Sequence, residues 1–370
     1  MPPFRRLGVF LCASGFLSSA WASDLEVREN DSIVIIGNTF ADRMHLFGYF
    51  ETFLHCRFPE HRLRVRNLGW PADEVDKRIR PHGFPRLFDD LKANQADLIL
   101  VCYGMNESFL GLERLDHFRQ ELEKIVGQLM AEKFNGVTPP RVALVTPIAQ
   151  EAMPSLPDVS GRNAVLKEYA EAVIQVATKH GIPVADLFSP TAARALDKEE
   201  KLTFNGIHLT ENGYRVVSQL MAEQFGLLKE LPATSTGAPD ADAFRRLVYE
   251  KNYWHQIWWH PPNASYLHGR RNEVPGSKHL TRERKQSSQL VEDMDRAIWK
   301  AAKPGVGEVW KTIPLEGRPV WFPTPRSREI SGDGPEALWA IKKDGKPGRT
   351  KSPKQEQDMM TVAPGYQVNL

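Results

Sequence analysis

The chain has 370 residues, with 48 lysines and arginines against 46 acidic residues, and a formal net charge of +2. This length is sufficient for one domain of about 200 residues with its own core and an appended segment. The near-neutral charge excludes a nucleic-acid-binding surface spread over the whole protein. We therefore expect no nucleic-acid partner.

The first 22 residues have the pattern of a secretory signal peptide. Arginines at positions 5 and 6 precede an apolar run over 7–17, and Ala20-Trp21-Ala22 supplies a small-x-small cleavage site. The apolar run is too short to span a bilayer, and no later segment is long enough. The sequence therefore predicts a secreted or periplasmic protein, without a membrane span, whose mature chain begins near Ser23.

Strands and helices alternate from residue 32 onwards, which predicts a parallel sheet with helices on both faces. The first predicted strand, 32–36, contains four β-branched residues in a row, as in the centre of a parallel sheet. Apolar residues at helical spacing next predict a helix over 42–57. Further strands are predicted over 63–68, 96–103, 141–146 and 182–187, and helices over 115–134, 162–180 and 211–225. The fold class is α/β, as a three-layer α/β/α domain with a five-stranded parallel sheet.

The composition changes after the α/β domain, which is predicted to occupy residues 30–226. Residues rich in Pro, Ser, Thr, Ala and Gly follow, and we interpret 227–242 as a linker. Seven of the nine tryptophans lie beyond residue 250, which predicts a Trp-rich extension over 243–330 packed on the domain. The Gly-, Pro- and Lys-rich segment 331–370 is predicted to be mostly disordered.

Two cysteines remain after removal of the signal peptide, Cys56 and Cys102. They could form one disulfide in an oxidising compartment, and two buried free thiols are equally consistent with the sequence. The histidines are scattered, and no Cys or His cluster has the spacing of metal ligands. We therefore expect neither a metal site nor another cofactor.

Small or polar residues follow the predicted strands at the carboxyl edge of the sheet, where ligands bind in open α/β folds. These blocks are Gly37-Asn38-Thr39, Asn67-Leu68-Gly69, Gly104-Met105-Asn106-Glu107 and Asn205-Gly206-Ile207-His208-Leu209-Thr210. Four such blocks in this order resemble those of the SGNH (GDSL-type) hydrolases, in a variant similar to planctomycete members. The resemblance covers residues 30–226 and implies a flavodoxin-like SGNH fold.

The resemblance also implies an acyl-transfer site. His208 corresponds to the general base, while the Gly69 N–H and the Asn106 carboxamide correspond to oxyanion donors. Thr39 stands where the family has its nucleophilic serine, and Asn205 stands where it has the aspartate that orients the histidine. The threonine methyl restricts χ1 and crowds the attacking oxygen. Asparagine carries no charge to stabilise an imidazolium, and its NH2 group can select the wrong tautomer.

Three further residues at the same edge are candidates to support this site. Asn38 precedes the nucleophile position, and Glu107 and Glu151 could each supply the charge that Asn205 lacks. The alternative role for both glutamates is the capping of a helix.

Two functions are consistent with these residues. The favoured one is a hydrolase of ester bonds, an acyl or carbohydrate esterase that uses Thr39 and His208. The alternative is a non-catalytic module of the same fold, which binds a glycan or an acylated ligand. In either case the expected partner is a small molecule or a glycan ester.

Overall fold

The computed structural model describes residues 24–196, 201–228, 241–261, 264–268 and 277–303. A fully parallel sheet of five strands, in the order β2-β1-β3-β4-β5, forms its centre. The strands are β1 (Ser32–Gly37), β2 (Arg64–Asn67), β3 (Leu98–Cys102), β4 (Arg141–Val145) and β5 (Val184–Ala185). The helices are α1 (Thr39–Arg43), α2 (Tyr49–Arg57), α3 (Leu87–Ala93), α4 (Leu115–Ala131), α5 (Ser160–His180), α6 (Phe188–Ala192), α7 (Glu211–Gln224), α8 (Ala241–Trp259), α9 (Ala264–Leu267) and α10 (Ser277–Ala302).

Helices cover both faces of the sheet. Because successive side chains of a strand point to opposite faces, Ile33 and Ile35 of β1 join one apolar core with α2 and α7. Val34 and Ile36 join a second core with α4 and α5. Every residue of β1 is buried, which explains why its sequence is an unbroken apolar run. The predicted three-layer α/β/α class is therefore confirmed.

Two predicted elements differ from the observed ones. The helix predicted over 42–57 is divided into α1, a 3₁₀ turn at Met44–Leu46 and α2, because Gly48 adopts a left-handed φ of 67°. The strand predicted over 182–187 is shorter in the structure, where β5 has two residues. The N–H of the next residue, Asp186, donates to the Gln224 side chain and not to a neighbouring strand. Helix α3 was not predicted.

The C-terminal helices cover the free edge of the sheet. Strand β2 pairs with β1 alone, so carbonyl groups along its other edge need partners. Lys251 Nζ of α8 donates to Val65 O over 2.9 Å, and Trp299 Nε1 of α10 donates to Leu63 O over 2.8 Å. An uncovered edge strand is a template for pairing with another chain and hence for aggregation. Helices α8 and α10 block that pairing at β2.

Buried ion pairs attach both helices to the domain. Lys251, which is fully buried, lies 2.7 Å from Glu51 Oε1 of α2. Arg66 of β2 forms two hydrogen bonds to the Asp295 carboxylate of α10, at 3.2 and 2.5 Å. Loss of one partner of such a pair would leave an uncompensated buried charge, so the pairs fix the positions of α8 and α10.

Several predicted boundaries fall outside the described residues. The predicted signal peptide, the tail over 331–370 and most of the predicted linker lie there. The predicted Trp-rich extension is described in part, through α8, α9 and α10. The division of the chain into these segments therefore stays a prediction.

Three further observations apply to the described part of the chain. None of its helices is long and apolar enough to cross a membrane. Cys56 and Cys102 are both buried and both free, which answers the question that the sequence left open. No group of three or more His, Cys, Asp or Glu side chains in these residues could hold a metal ion.

Candidate active site

The turn after β1 places Thr39 at the carboxyl edge of the sheet. Gly37 is needed there, because a Cβ atom on it would lie 2.3 Å from Cys102 O of the neighbouring strand. Asn38 is the N-cap of α1, and its Oδ1 accepts the Phe40 N–H over 3.0 Å. Thr39 is therefore the first residue of a helix that starts directly from strand β1, and Asn38 serves to cap that helix.

The Thr39 hydroxyl accepts a hydrogen bond from the backbone N–H of Ala72. This N–H donates to Thr39 Oγ1 over 3.1 Å, and Ala72 has a left-handed φ of 63°. Asn106 Nδ2 donates to Ala72 O over 2.8 Å, which leaves its second N–H for another acceptor. Thr39, Ala72 and Asn106 thus form one cluster with two N–H donors beside a hydroxyl.

The N–H of Gly69, the predicted oxyanion donor, has a partner within the protein, and its predicted role stays a prediction. This N–H donates to Asn67 Oδ1 over 2.8 Å in a buried position. A Cβ atom at Gly69 would lie 2.3 Å from Asp42 N, so a glycine is required for the close approach of this loop to α1. Ala72 was not among the residues predicted from the sequence, because a backbone N–H has no side-chain signature.

Asn205 and His208 are in direct contact. Asn205 Oδ1 accepts the backbone N–H of His208 over 2.9 Å and that of Ile207 over 3.3 Å. The same amide presents Nδ2 at 2.9 Å and Oδ1 at 3.2 Å from His208 Nδ1. The shorter contact makes Nδ1 an acceptor and places the ring proton on Nε2. The longer contact supports the opposite tautomer, in which Nε2 is a free base.

The His208 ring lies beside an aromatic side chain and a cation. It stacks on Phe204 with ring centroids 5.8 Å apart, and the guanidinium carbon of Arg43 lies 5.4 Å from the same Phe204 ring. Burial and the Arg43 charge lower the pKa of His208 below its usual value of 6.5. His208 is therefore neutral at physiological pH, as a general base must be.

Glu151 does not contact His208 but holds the loop that carries it. Its carboxylate is buried and accepts the N–H groups of Leu202 and Thr203, at 2.9 and 2.7 Å, and the Thr203 hydroxyl at 2.5 Å. Thr203 Oγ1 in turn accepts the Gly206 N–H over 3.0 Å. Any support that Glu151 gives His208 is therefore indirect in this structure, through the loop, and the predicted direct support stays a prediction.

The Glu107 carboxyl group likewise bonds backbone N–H groups of the protein and not His208. Its two oxygens accept the N–H groups of Val75 and Gly104, at 2.8 and 2.9 Å. Burial raises the pKa of Glu107 to about 7. Because Gly104 begins the block that carries Asn106 and Val75 follows Ala72, this carboxyl group joins the two loops that supply the N–H donors.

A small apolar cavity of about 100 Å³ brings the predicted residues together. Thr39, Asn106 and His208 line it, whereas Gly69, Glu107 and Glu151 do not. Its other walls are mainly apolar, from Phe40, Cys102, Tyr103, Met105, Phe109, Pro147, Ile148, Ile207, Leu209 and Tyr214. Among the described residues no hydrogen bond joins Thr39 to His208.

Residues 31–216 match the model of the GDSL-like lipase/acylhydrolase family. The match covers just over half of the chain, and the protein therefore belongs to this family. The resemblance drawn from the four sequence blocks is confirmed at the family level. No match was found among curated proteins.

Solved structures of three enzymes are similar to this chain. A gut microbial diltiazem-metabolizing enzyme matches with a TM-score of 0.54 and 14% identity, over 76% of this chain and 97% of its own. A catalytic mutant of an acetylxylan esterase from Geobacillus stearothermophilus has a TM-score of 0.41 and 16% identity, over 55% and 97%. Another acetyl xylan esterase has a TM-score of 0.42 and 18% identity, over 52% and 98%. The first of these similarities indicates a shared fold.

Proposed function

We propose that the protein hydrolyses short acyl esters, with Thr39 as the nucleophile and His208 as the general base. The observation that carries this proposal is the single cavity lined by Thr39, Asn106 and His208, with the Ala72 N–H at the threonine hydroxyl. Family membership supports the reaction class, because the GDSL-like family is one of lipases and acylhydrolases.

The chemistry follows from the positions of these groups. His208 Nε2 accepts the Thr39 hydroxyl proton as Oγ1 attacks the ester carbonyl carbon, and the carbonyl oxygen becomes an oxyanion. Ala72 N–H and the second N–H of Asn106 Nδ2 then donate to that oxyanion. The intermediate collapses to an acyl-threonine as the alcohol leaves with the proton from His208. Water repeats the sequence, releases the acid and restores Thr39.

The cavity supports a limit on the acyl group. An apolar cavity of about 150 Å³ accommodates benzene, and this cavity is smaller, at about 100 Å³. We therefore assign acetyl or another short acyl chain to it, with the alcohol part outside. The predicted signal peptide supports a site of action outside the cytoplasm, where acylated carbohydrates are candidate substrates.

A non-catalytic binding module is the second candidate, and one observation favours it. The shorter contact between Asn205 and His208 places the ring proton on Nε2, and in that tautomer the imidazole cannot accept a proton from Thr39. Such a cavity would retain an acylated ligand without cleaving it.

Hydrolysis of short acyl esters by the purified mature chain separates the two candidates. We expect measurable turnover of para-nitrophenyl acetate and of acetylated sugars, and its loss in both Thr39→Ala and His208→Ala. Cys56→Ala is the control, since Cys56 is buried outside the cavity. Turnover that neither active-site variant changes would refute the assignment. Tight binding of an acetylated sugar without any turnover would establish the binding module.

A further inference from the structure

A cation lies beside the Phe204 and His208 rings, next to the cavity, and forms no salt bridge among the described residues. Arg43 lies one helical turn after Thr39 in α1, so the two side chains share a face of that helix. Within the described ranges Arg43 forms no salt bridge, and its buried Nε has no hydrogen-bond partner. Its guanidinium lies against Phe204, whose other neighbour is the His208 ring.

The carboxyl groups of this part of the site form no salt bridge with Arg43. Burial raises the pKa of the adjacent Asp42 to about 7, so this group is only partly ionised at neutral pH. Glu107 and Glu151 are both buried, and backbone N–H groups occupy their oxygens. Asn205, at the position of the family's aspartate, is uncharged. Arg43 therefore keeps its positive charge without a salt bridge among the described residues.

We propose that the substrate is an acyl ester whose alcohol part carries an anionic group, a carboxylate in the first instance, and that Arg43 binds this group. This inference rests on the proposed function and names its substrate class. The anion belongs to the alcohol because the acyl cavity is apolar and would not accept a charge. A guanidinium binds a carboxylate through paired N–H donors, and Arg43, which hydrogen-bonds the Tyr214 hydroxyl, has five N–H donors in all.

A bound anion would also supply what the site lacks electrostatically. Protonation of His208 during the reaction places a second positive charge near Arg43, and Asn205 cannot offset it. The carboxylate of the substrate, bound to Arg43, neutralises the Arg43 charge and so favours the protonated His208 ring. Substrate charge thus contributes to the step that an aspartate assists in a complete triad.

The test compares two esters that differ in this charge, para-acetoxybenzoate and methyl para-acetoxybenzoate. Each kcat/KM is divided by the uncatalysed hydrolysis rate of the same ester, which removes the difference in leaving-group reactivity. We expect a preference for the anionic ester of about 10- to 100-fold, the range of one charge-assisted hydrogen bond. Arg43→Gln should abolish this preference.

Arg57→Gln is the matched control. Arg57 also lies over a phenylalanine ring, at 5.1 Å from Phe58, and also has an unpartnered buried Nε, but that ring packs on His61 and not on His208. The preference should be unchanged in this variant. A parent protein without a preference, or an equal preference in Arg43→Gln, would overturn the inference.

A binding measurement separates this inference from the proposed function. In the Thr39→Ala background, calorimetry measures the Kd of each intact ester. Tighter binding of para-acetoxybenzoate, lost on addition of Arg43→Gln, supports the anion site even if the parent hydrolyses neither ester. Equal Kd values for the two esters contradict it even if hydrolysis is observed.

Discussion

Replacement of Asn205 by aspartate should increase the rate of ester hydrolysis. One carboxylate oxygen would keep the backbone N–H groups of Ile207 and His208, which Asn205 Oδ1 now accepts. The other oxygen would replace Nδ2, which lies 2.9 Å from His208 Nδ1. That oxygen can only accept, so it selects the tautomer with the proton on Nδ1 and a free Nε2.

The size of the effect can be bounded. In the serine-protease triad the reverse change lowers kcat by about 10⁴, which corresponds to about 5.4 kcal/mol of transition-state stabilisation. Asn205 is exposed and His208 is only partly buried, so solvent screens the new charge. We therefore expect Asn205→Asp to raise kcat by about 10²-fold, or about 2.7 kcal/mol.

The pH profile gives an independent check of the same change. Burial and Arg43 lower the pKa of His208 in the parent protein, so neutral imidazole persists into mildly acidic solution. A carboxylate beside Nδ1 favours the charged ring and raises this pKa. The acidic limb of the rate profile should therefore move to higher pH in Asn205→Asp.

The assay is the hydrolysis of para-nitrophenyl acetate by the parent, Asn205→Asp and Asn212→Asp. The last variant adds the same charge to α7 at a residue that bonds Arg215 and does not line the cavity. It should leave both the rate and the profile unchanged. If Asn205→Asp folds normally but neither accelerates hydrolysis nor moves the acidic limb, the tautomer argument is wrong.

Three other substitutions test the supporting structure. Glu151→Gln places an N–H donor opposite the Leu202 or Thr203 donors. It should lower the free energy of unfolding, measured with urea, by about 1–3 kcal/mol and reduce kcat. An unchanged free energy of unfolding would show that Glu151 does not hold the loop that carries His208. Ala72→Gly removes the side chain from a left-handed φ of 63° and should raise the free energy of unfolding by about 0.5–1 kcal/mol; a loss of stability would contradict this. Asp42 has a folded pKa raised to about 7 from 3.8, so its contribution to stability is lost as pH rises through the folded value. The Tm advantage of Asp42→Asn should therefore be largest above that pH and decline below it, and a pH-independent difference would refute the shift.

The fold was predictable because burial on both sheet faces leaves a direct record in the sequence. Ile33 to Ile36 have no polar face, and the helices that cover them have apolar residues at helical spacing. The break at Gly48 was not predictable from periodicity, because the apolar spacing continues through it. The strand predicted over 182–187 is present as β5, but its shortness was not predictable, since a side-chain acceptor from α7 replaces a strand partner.

The site was predictable where a side chain carries the chemistry. Thr39, Asn106 and His208 have distinctive polar groups, and the structure places all three around one cavity. The contact of the Ala72 N–H with Thr39 was not predictable, because a backbone N–H is present in almost every residue and its direction depends on φ and ψ. Glu107 and Glu151 were placed at the correct edge, but their partners are backbone groups of distant loops that only the folded chain brings close.

The identity of the nucleophile is the central claim, and trapping of the acyl-enzyme tests it most directly. The parent and Asn205→Asp proteins are mixed with para-nitrophenyl acetate, quenched during turnover, digested and analysed by mass spectrometry. We predict one added acetyl group on the peptide that contains Thr39, and its absence in Thr39→Ala. Turnover without an adduct on that peptide, together with an unchanged rate in Thr39→Ala, would contradict the account.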